Sequence, residues 1–168
     1  LHFSTLLNAK MWEFHLSYKD LDVDASTLQF PQSAAELIVH APELFANSHL
    51  LDLTSPDATY RSLSITNMKK VIEQTKILGK YFNSDGPIKI VTNVGGFSMD
   101  APLEEDQRLQ RYEILGESLR LISDTEVDII PQTMAPFPWH FGGQRFQNIF
   151  LDAVEIVHPT TSFSLQIP

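Results

Sequence analysis

Residues 11–17, MWEFHLS, alternate bulky apolar Trp12, Phe14 and Leu16 with polar Glu13, His15 and Ser17, the period-two signature of a strand with two unlike faces. Three later runs, AELIVHA (35–41), IKIVTNV (88–94) and VDIIPQT (127–133), are nearly continuous in apolar and β-branched residues. Such runs predict strands covered on both faces, as in parallel sheets. Between the second and third lies SITNMKKVIEQTKILGKYF (64–82), with Met68, Val71, Ile72, Thr75, Leu78 and Phe82 at helical spacing behind Ser64 and Thr66 as caps. Between the third and fourth, LEEDQRLQRYEILGESLRLIS (103–123) sets Leu109, Tyr112, Leu115, Leu119 and Ile122 on one stripe, with Glu104, Glu105 and Asp106 at the positive helix start. These patterns predict two amphipathic helices. A shorter helix is expected over NIFLDAVEIV (148–157), and a fifth strand over SFSLQI (162–167).

Strand, helix, strand, helix, strand in that order is the layout of right-handed βαβ crossovers and predicts an α/β class with a parallel sheet. No internal repeat, low-complexity run or Gly/Ser linker divides the chain, so residues 1–168 are expected to form a single domain. A complete eight-stranded barrel takes about 250 residues, and this chain is too short for one.

Composition narrows the functional field. The chain is 43% hydrophobic and 20% charged, as in a globular domain with its own core. A formal net charge of −9 repels phosphate backbones, so nucleic acid is not an expected partner. With no cysteine, any metal must rest on His, carboxylate or carbonyl ligands, and a cytoplasmic location fits. No apolar run approaches the roughly 20 residues that cross a bilayer. LHFSTLLNAK has neither the basic start nor the small-residue cleavage site of a signal peptide. A soluble protein without membrane partners is expected, and the opening Leu1 suggests a longer natural chain.

In parallel α/β folds the ligand lies beyond the carboxyl ends of the strands, and here those ends are polar. The first offers Glu13 and His15, the second His40 followed by Ala-Pro-Glu43, the third Asn93 followed by Val-Gly-Gly, and the fourth Gln132 followed by Thr133 and Met134. Any one of these is also what an ordinary hydrogen-bonded strand end looks like; four in register point to a shared ligand. Glu13 and Glu43 are the candidate acids, bases or ligands, and His15 stands between a ligand and a core histidine. His2, His49 and His158 have no supporting context. No P-loop, GxSxG or HExxH motif occurs.

The stretch VDIIPQTMAPFPWHFGGQ (127–144) changes abruptly from a strand to prolines, aromatics and paired glycines. Pro131 to Pro138 are expected to end the strand, with Phe137, Trp139, His140 and Phe141 as an apolar wall over the mouth and Gly142-Gly143 releasing the chain into the next helix. Trp139 would stack on the carbon face of a sugar, His140 would shape the loop, and Gln144 or Asn148 would bond hydroxyls. The plain alternative is an aromatic plug at one end of the sheet. Gly95-Gly96 and Gly142-Gly143 serve either as tight turns or as approaches for an anionic group.

Taken in order, the EFHL strand running into YKDLD, LIVHAPELF, a helix ending ILGKYF, a strand closing in VGG and a strand running into APFPWHFGGQ together resemble the xylose-isomerase-like TIM-barrel superfamily. That superfamily includes sugar-phosphate isomerases and epimerases and the second family of AP endonucleases. HAPE (40–43) is the most specific piece and FPWHFGGQ the next. The resemblance spans nearly the whole chain and implies a partial (β/α) TIM-type barrel, about strands two to six. Related segments also look like the isomerase-type module appended to some sialic-acid-synthase-like proteins, which implies a larger polypeptide.

The resemblance further implies a divalent metal (Mg, Mn or Zn) on strand-end ligands, with a glutamate moving a proton beside a metal-polarised carbonyl. His40 matches the strand-end histidine and is the expected metal ligand; Glu13 and Glu43 are the expected catalytic carboxylates. His15, Asn93, Gln132, Trp139, His140 and Gln144 are expected to bind substrate. Gln132 departs from the pattern, since it stands where a metal-binding, proton-transferring glutamate is usual, and an amide brings no charge and no base. Asn93 stands where some members carry histidine, and Gln166 where an aspartate is frequent. The expected function is therefore a sugar-phosphate isomerase or epimerase, degenerate in its ligand set. The alternative is a noncatalytic carbohydrate-binding or regulatory module on the same fold. An AP endonuclease is disfavoured by the acidic charge. A sheet cut from a barrel exposes two edges, so a homo-oligomer or further domains of a longer chain are expected.

Overall fold

The alternation in MWEFHLS becomes strand β1 (Met11–His15), whose exposure alternates with the same period. The computed structural model describes residues 9–28, 30, 35–134 and 137–149. In chain order the further elements are β2 (Glu36–His40), β3 (Leu44–Phe45), β4 (His49–Leu50), α1 (Ala58–Gly79), β5 (Ile88–Asn93), β6 (Phe97–Met99), α2 (Glu105–Leu121), β7 (Val127–Gln132), β8 (Trp139–Phe141) and β9 (Gln144–Asn148). The protein is mixed α/β, and among the described residues its centre is a four-stranded parallel sheet in the order β1-β2-β5-β7. The four strands expected from the sequence are these four. Two antiparallel additions, the β3–β4 hairpin and a β6-β9-β8 sheet, lie beyond what the residue pattern predicts.

Bridge partners on neighbouring strands share a face, so the register sorts the sheet's side chains. Trp12, Phe14, Leu37, Val39, Ile90, Thr92, Val127 and Ile129 lie on one face. There Leu37, Val39, Ile90 and Val127 join one buried core with Met68, Val71, Ile72 and Leu78 of α1 and Tyr112, Leu115 and Leu119 of α2. Burying each such side chain contributes about 1.5–3 kcal/mol. The opposite face carries Glu13, His15, Glu36, Ile38, His40, Lys89, Val91, Asn93, Asp128, Ile130 and Gln132, all exposed or half-buried. The apolar runs therefore mislead on one point: within the described residues the sheet is covered on one face only, because both helices pack on the same side.

Helix α1 begins at Ala58, not behind Ser64 or Thr66. Its cap is Asp57, whose Oδ1 accepts from the amides of Thr59 (2.8 Å) and Tyr60 (3.2 Å), satisfying donors that have no intrahelical partner. Ser64 lies inside the helix with its hydroxyl turned to a buried network, and the Thr66 hydroxyl donates back to Ser62 O at 2.9 Å. In α2 the Gln107 side chain accepts from the Glu104 amide at 3.3 Å, with Glu105 and Asp106 in the first turn where the helix dipole favours them. Tyr112, Leu115, Leu119 and Ile122 are buried as expected, but Leu109 is 56% exposed. The buried stripe within α2 starts at Tyr112.

The aromatic stretch after β7 also differs from expectation. Pro131 is a residue of β7 itself, paired with Thr92; an edge strand tolerates proline where its missing N–H faces outward. Gly142-Gly143 do not release the chain into a helix. With φ of 58° and 80° they make a two-residue hairpin, which needs positive φ at both central positions, and the chain returns as β9. Asn148 therefore ends a strand. Ile149 is a bend, and residues 150–157 of the helix expected over 148–157, with the strand expected over 162–167, lie outside the described residues. So do His2, His158 and Gln166.

Candidate functional site

The open face of the parallel sheet ends in a continuous row of polar side chains. His15 and His40 are register partners on β1 and β2, and their rings stack at 4.7 Å with planes 7° apart. Glu13 Oε1 lies 3.1 Å from His15 Nε2. On the other side His40 Nε2 lies 3.1 Å from the side-chain oxygen of Gln132 on β7, across the intervening β5. Asn93 is the register partner of Gln132, and its Oδ1 accepts from the Gly95 amide at 3.0 Å. The sheet thus brings together Glu13, His15, His40 and Gln132, with Asn93 beside them. The period of two puts them on one face, and equivalent strand positions put them at one end.

Both ring nitrogens of His40 have oxygen neighbours. Its Nδ1 faces the Ala41 carbonyl at 3.2 Å and its Nε2 the Gln132 side-chain oxygen at 3.1 Å, and whichever nitrogen carries the hydrogen donates to the oxygen it faces. Along this row donors and acceptors stand in the order carboxylate, imidazole, imidazole, amide, amide.

As placed, these side chains do not converge on a common point for a divalent ion. His40 Nε2 faces the Gln132 side-chain oxygen, and the carboxylate of the row, Glu13, is turned to His15. Imidazole lone pairs lie in the ring plane, and two rings 7° from parallel at 4.7 Å do not converge on one point at the roughly 2.1 Å that metal ligation requires. Among the described residues no three His, Asp or Glu side chains are grouped as a ligand set.

Glu43 stands apart from the row. It is exposed just before β3, where its carbonyl accepts from Leu51 N–H at 2.9 Å. Trp139, His140 and Gln144 belong to the β6-β9-β8 sheet. There Trp139 stacks on Phe146 at 4.6 Å, Phe97 meets both rings edge-on, and Trp139 Nε1 donates to Asn148 Oδ1 at 2.8 Å. Phe146 is 8% exposed but lies outside the main core, so this aromatic cluster is a small core of its own. Adjacent strand residues face opposite ways: Trp139 and Phe141 share the aromatic face with Phe97 and Phe146, and His140 points to the other with Arg145. Of the expected wall of Phe137, Trp139, His140 and Phe141, the last three are divided between two faces and Phe137 is 66% exposed. Gln144 Nε2 is held by Asp100 Oδ1 at 3.0 Å.

A second polar cluster, unsuspected from the sequence, lies buried beside the strand ends. His49 Nε2 meets Ser64 Oγ at 2.9 Å, and the same hydroxyl accepts from the Asp52 amide at 3.0 Å. Asp52 Oδ1 accepts from Thr54 N (2.9 Å), Thr54 Oγ1 (2.7 Å) and Gly96 N (3.1 Å). Arg111 donates to Thr54 O at 2.9 Å. Burial raises the Asp52 pKa above the usual carboxylate value, opposed by the Thr54 and Gly96 hydrogen bonds and by Arg111. Burial likewise depresses the His49 pKa, opposed by the charge on Asp52. Residues 49–54 have neither period, and their role is not legible without the fold.

No protein-family model, curated protein or solved structure matches the chain. Among the described residues no helix is long and apolar enough to cross a membrane.

Proposed function

We propose that the chain is part of a sugar isomerase or epimerase of the xylose-isomerase-like type, with its four parallel strands as a section of a (β/α) barrel and a carbohydrate held at the strand ends. The observation that carries this reading is the unbroken row Glu13–His15–His40–Gln132 on one open sheet face. A sugar hydroxyl both donates and accepts, and a row of carboxylate, two imidazoles and amide offers donors and acceptors at successive positions. In this reading Glu13 would take a proton from a carbon next to a carbonyl, and His15, 3.1 Å from it, would hold or return that proton. Mg, Mn or Zn would polarise the substrate carbonyl in such chemistry, and its ligands would have to come from a rearranged His40 and from groups beyond this row.

A second reading is a noncatalytic carbohydrate-binding module on the same framework. Gln132 favours it, because the group bonded to His40 is an uncharged amide that cannot act as a base. One experiment separates the two. The chain is incubated in deuterated water with D-xylose, D-fructose and fructose 6-phosphate, following binding by ligand-observed NMR and deuterium wash-in at the carbon beside the carbonyl. Wash-in that is lost in Glu13→Gln with binding retained supports the isomerase; binding without wash-in selects the module; no binding to any of the three overturns both.

A further inference from the structure

The turn after β5 has the makings of an anion site. Gly95 and Gly96 follow one another with φ of 83° and 76°, and glycine amides in such turns can approach an anion without side chains in the way. Both donors are already committed. Gly95 N donates to Asn93 Oδ1 at 3.0 Å, and Gly96 N donates to Asp52 Oδ1 at 3.1 Å. Asp52 is 4% exposed, and the fit is close enough that a Cβ on Gly95 would lie 2.4 Å from Asp52 Cα and 2.7 Å from its Oδ1. The protein's own carboxylate thus occupies the place that a ligand phosphate would need.

The surrounding charge points the same way. On the open face Glu13, Glu36 and Asp128 stand against the one cation Lys89, and the strand-end row itself contains no Lys or Arg. Of the arginines beside the Asp52 cluster, Arg111 is spent on Thr54 O and on the field of Asp52, and Arg61 donates to Ser55 O. A phosphate dianion would approach an excess of negative charge.

We infer that the ligand of the strand-end face is an uncharged polyhydroxy compound, a free sugar or sugar alcohol, and that Asp52 excludes phosphate esters by holding the Gly95–Gly96 turn. This rests on the carbohydrate reading above and narrows its substrate class.

The test is an NMR titration of the isotopically labelled chain with D-fructose, fructose 6-phosphate and inorganic phosphate. The expected result is that fructose shifts the side-chain resonances of His15, His40 and Gln132, that the ester binds at least about tenfold more weakly, and that inorganic phosphate leaves the Gly95 and Gly96 amides unmoved. An ester that binds as tightly as fructose, or a saturable shift of those two amides by phosphate, overturns the inference while leaving the carbohydrate reading standing. Silence from both sugars overturns the carbohydrate reading itself. In Asp52→Asn, which keeps an acceptor oxygen but no charge, discrimination against the ester should shrink; an unchanged ratio overturns the role of Asp52. Should that variant not fold, the phosphate titration of the unaltered chain still decides.

Discussion

Ser64 Oγ ties α1 to the segment just before it: it meets His49 Nε2 at 2.9 Å and accepts the Asp52 amide at 3.0 Å. One hydroxyl within α1 thereby fixes the β3–β4 hairpin and the segment that carries Asp52. Ser64→Ala leaves a buried imidazole nitrogen and a buried backbone N–H without partners. The expected loss is about 1–3 kcal/mol, read as a lower urea midpoint at unchanged slope. A midpoint equal to that of the unaltered chain would remove the network from any role in stability.

His49 makes stability depend on pH. Burial holds its folded-state pKa below the ordinary 6.5, so the unfolded chain binds the proton more readily. Its contribution is fully present above pH 6.5 and is lost as pH falls through the folded-state value. Thermal unfolding of the unaltered chain should shift downward over that window, and the part due to His49 should vanish in His49→Gln. A variant that keeps the same slope would assign the effect to other groups.

Two glycines with positive φ should respond very differently to substitution. A Cβ on Gly142 meets nothing within 4 Å, whereas one on Gly95 meets the Asp52 backbone at 2.4 Å. Gly142→Ala should cost about 1–2 kcal/mol, the left-handed penalty alone. Gly95→Ala adds overpacking against main chain and should cost more than about 3 kcal/mol. Equal melting temperatures for the two variants would contradict the close approach of the β5 exit to Asp52.

Gln132→Glu tests whether a carboxylate at this position makes the row a metal site. It would set a carboxylate against His40 Nε2, currently 3.1 Å from the Gln132 side chain, and give a hard cation one charged oxygen and one imidazole nitrogen as neighbours. Calorimetry should then detect Zn or Mn binding that the unaltered chain does not show, and adding His40→Ala should remove it. Micromolar binding by the unaltered chain would mean that the row rearranges around a metal.

Much of the framework is legible in local pattern. Each of the four parallel strands announces itself by alternation or by an apolar run, and Met68, Val71, Ile72, Thr75, Leu78 and Phe82 are all buried as their helical spacing requires. The start of α1 is not legible in the same way, because Ser64 and Thr66 resemble caps while Asp57 does the capping about two turns earlier. Cap identity depends on where the backbone turns, which side-chain type alone does not specify. Phe137 to Gln144 resemble a loop because proline and glycine mark chain reversals without specifying the element on the far side. A Gly-Gly pair flanked by WHF and QRF is a hairpin signal in its own right, and the register it sets sends Trp139 and His140 to opposite faces.

By itself the sequence determined the α/β class, the four strands and the polarity of their ends, because side-chain period and strand-end position are local properties of the chain. Only the tertiary structure decided which polar groups touch. The parallel register brought His15 onto His40 and Gln132 across to His40, and the packing of both helices on one side left that face open among the described residues. It also enclosed Asp52 against Gly96, a contact between residues 44 apart that exists only where two loop exits meet at the same end of the sheet.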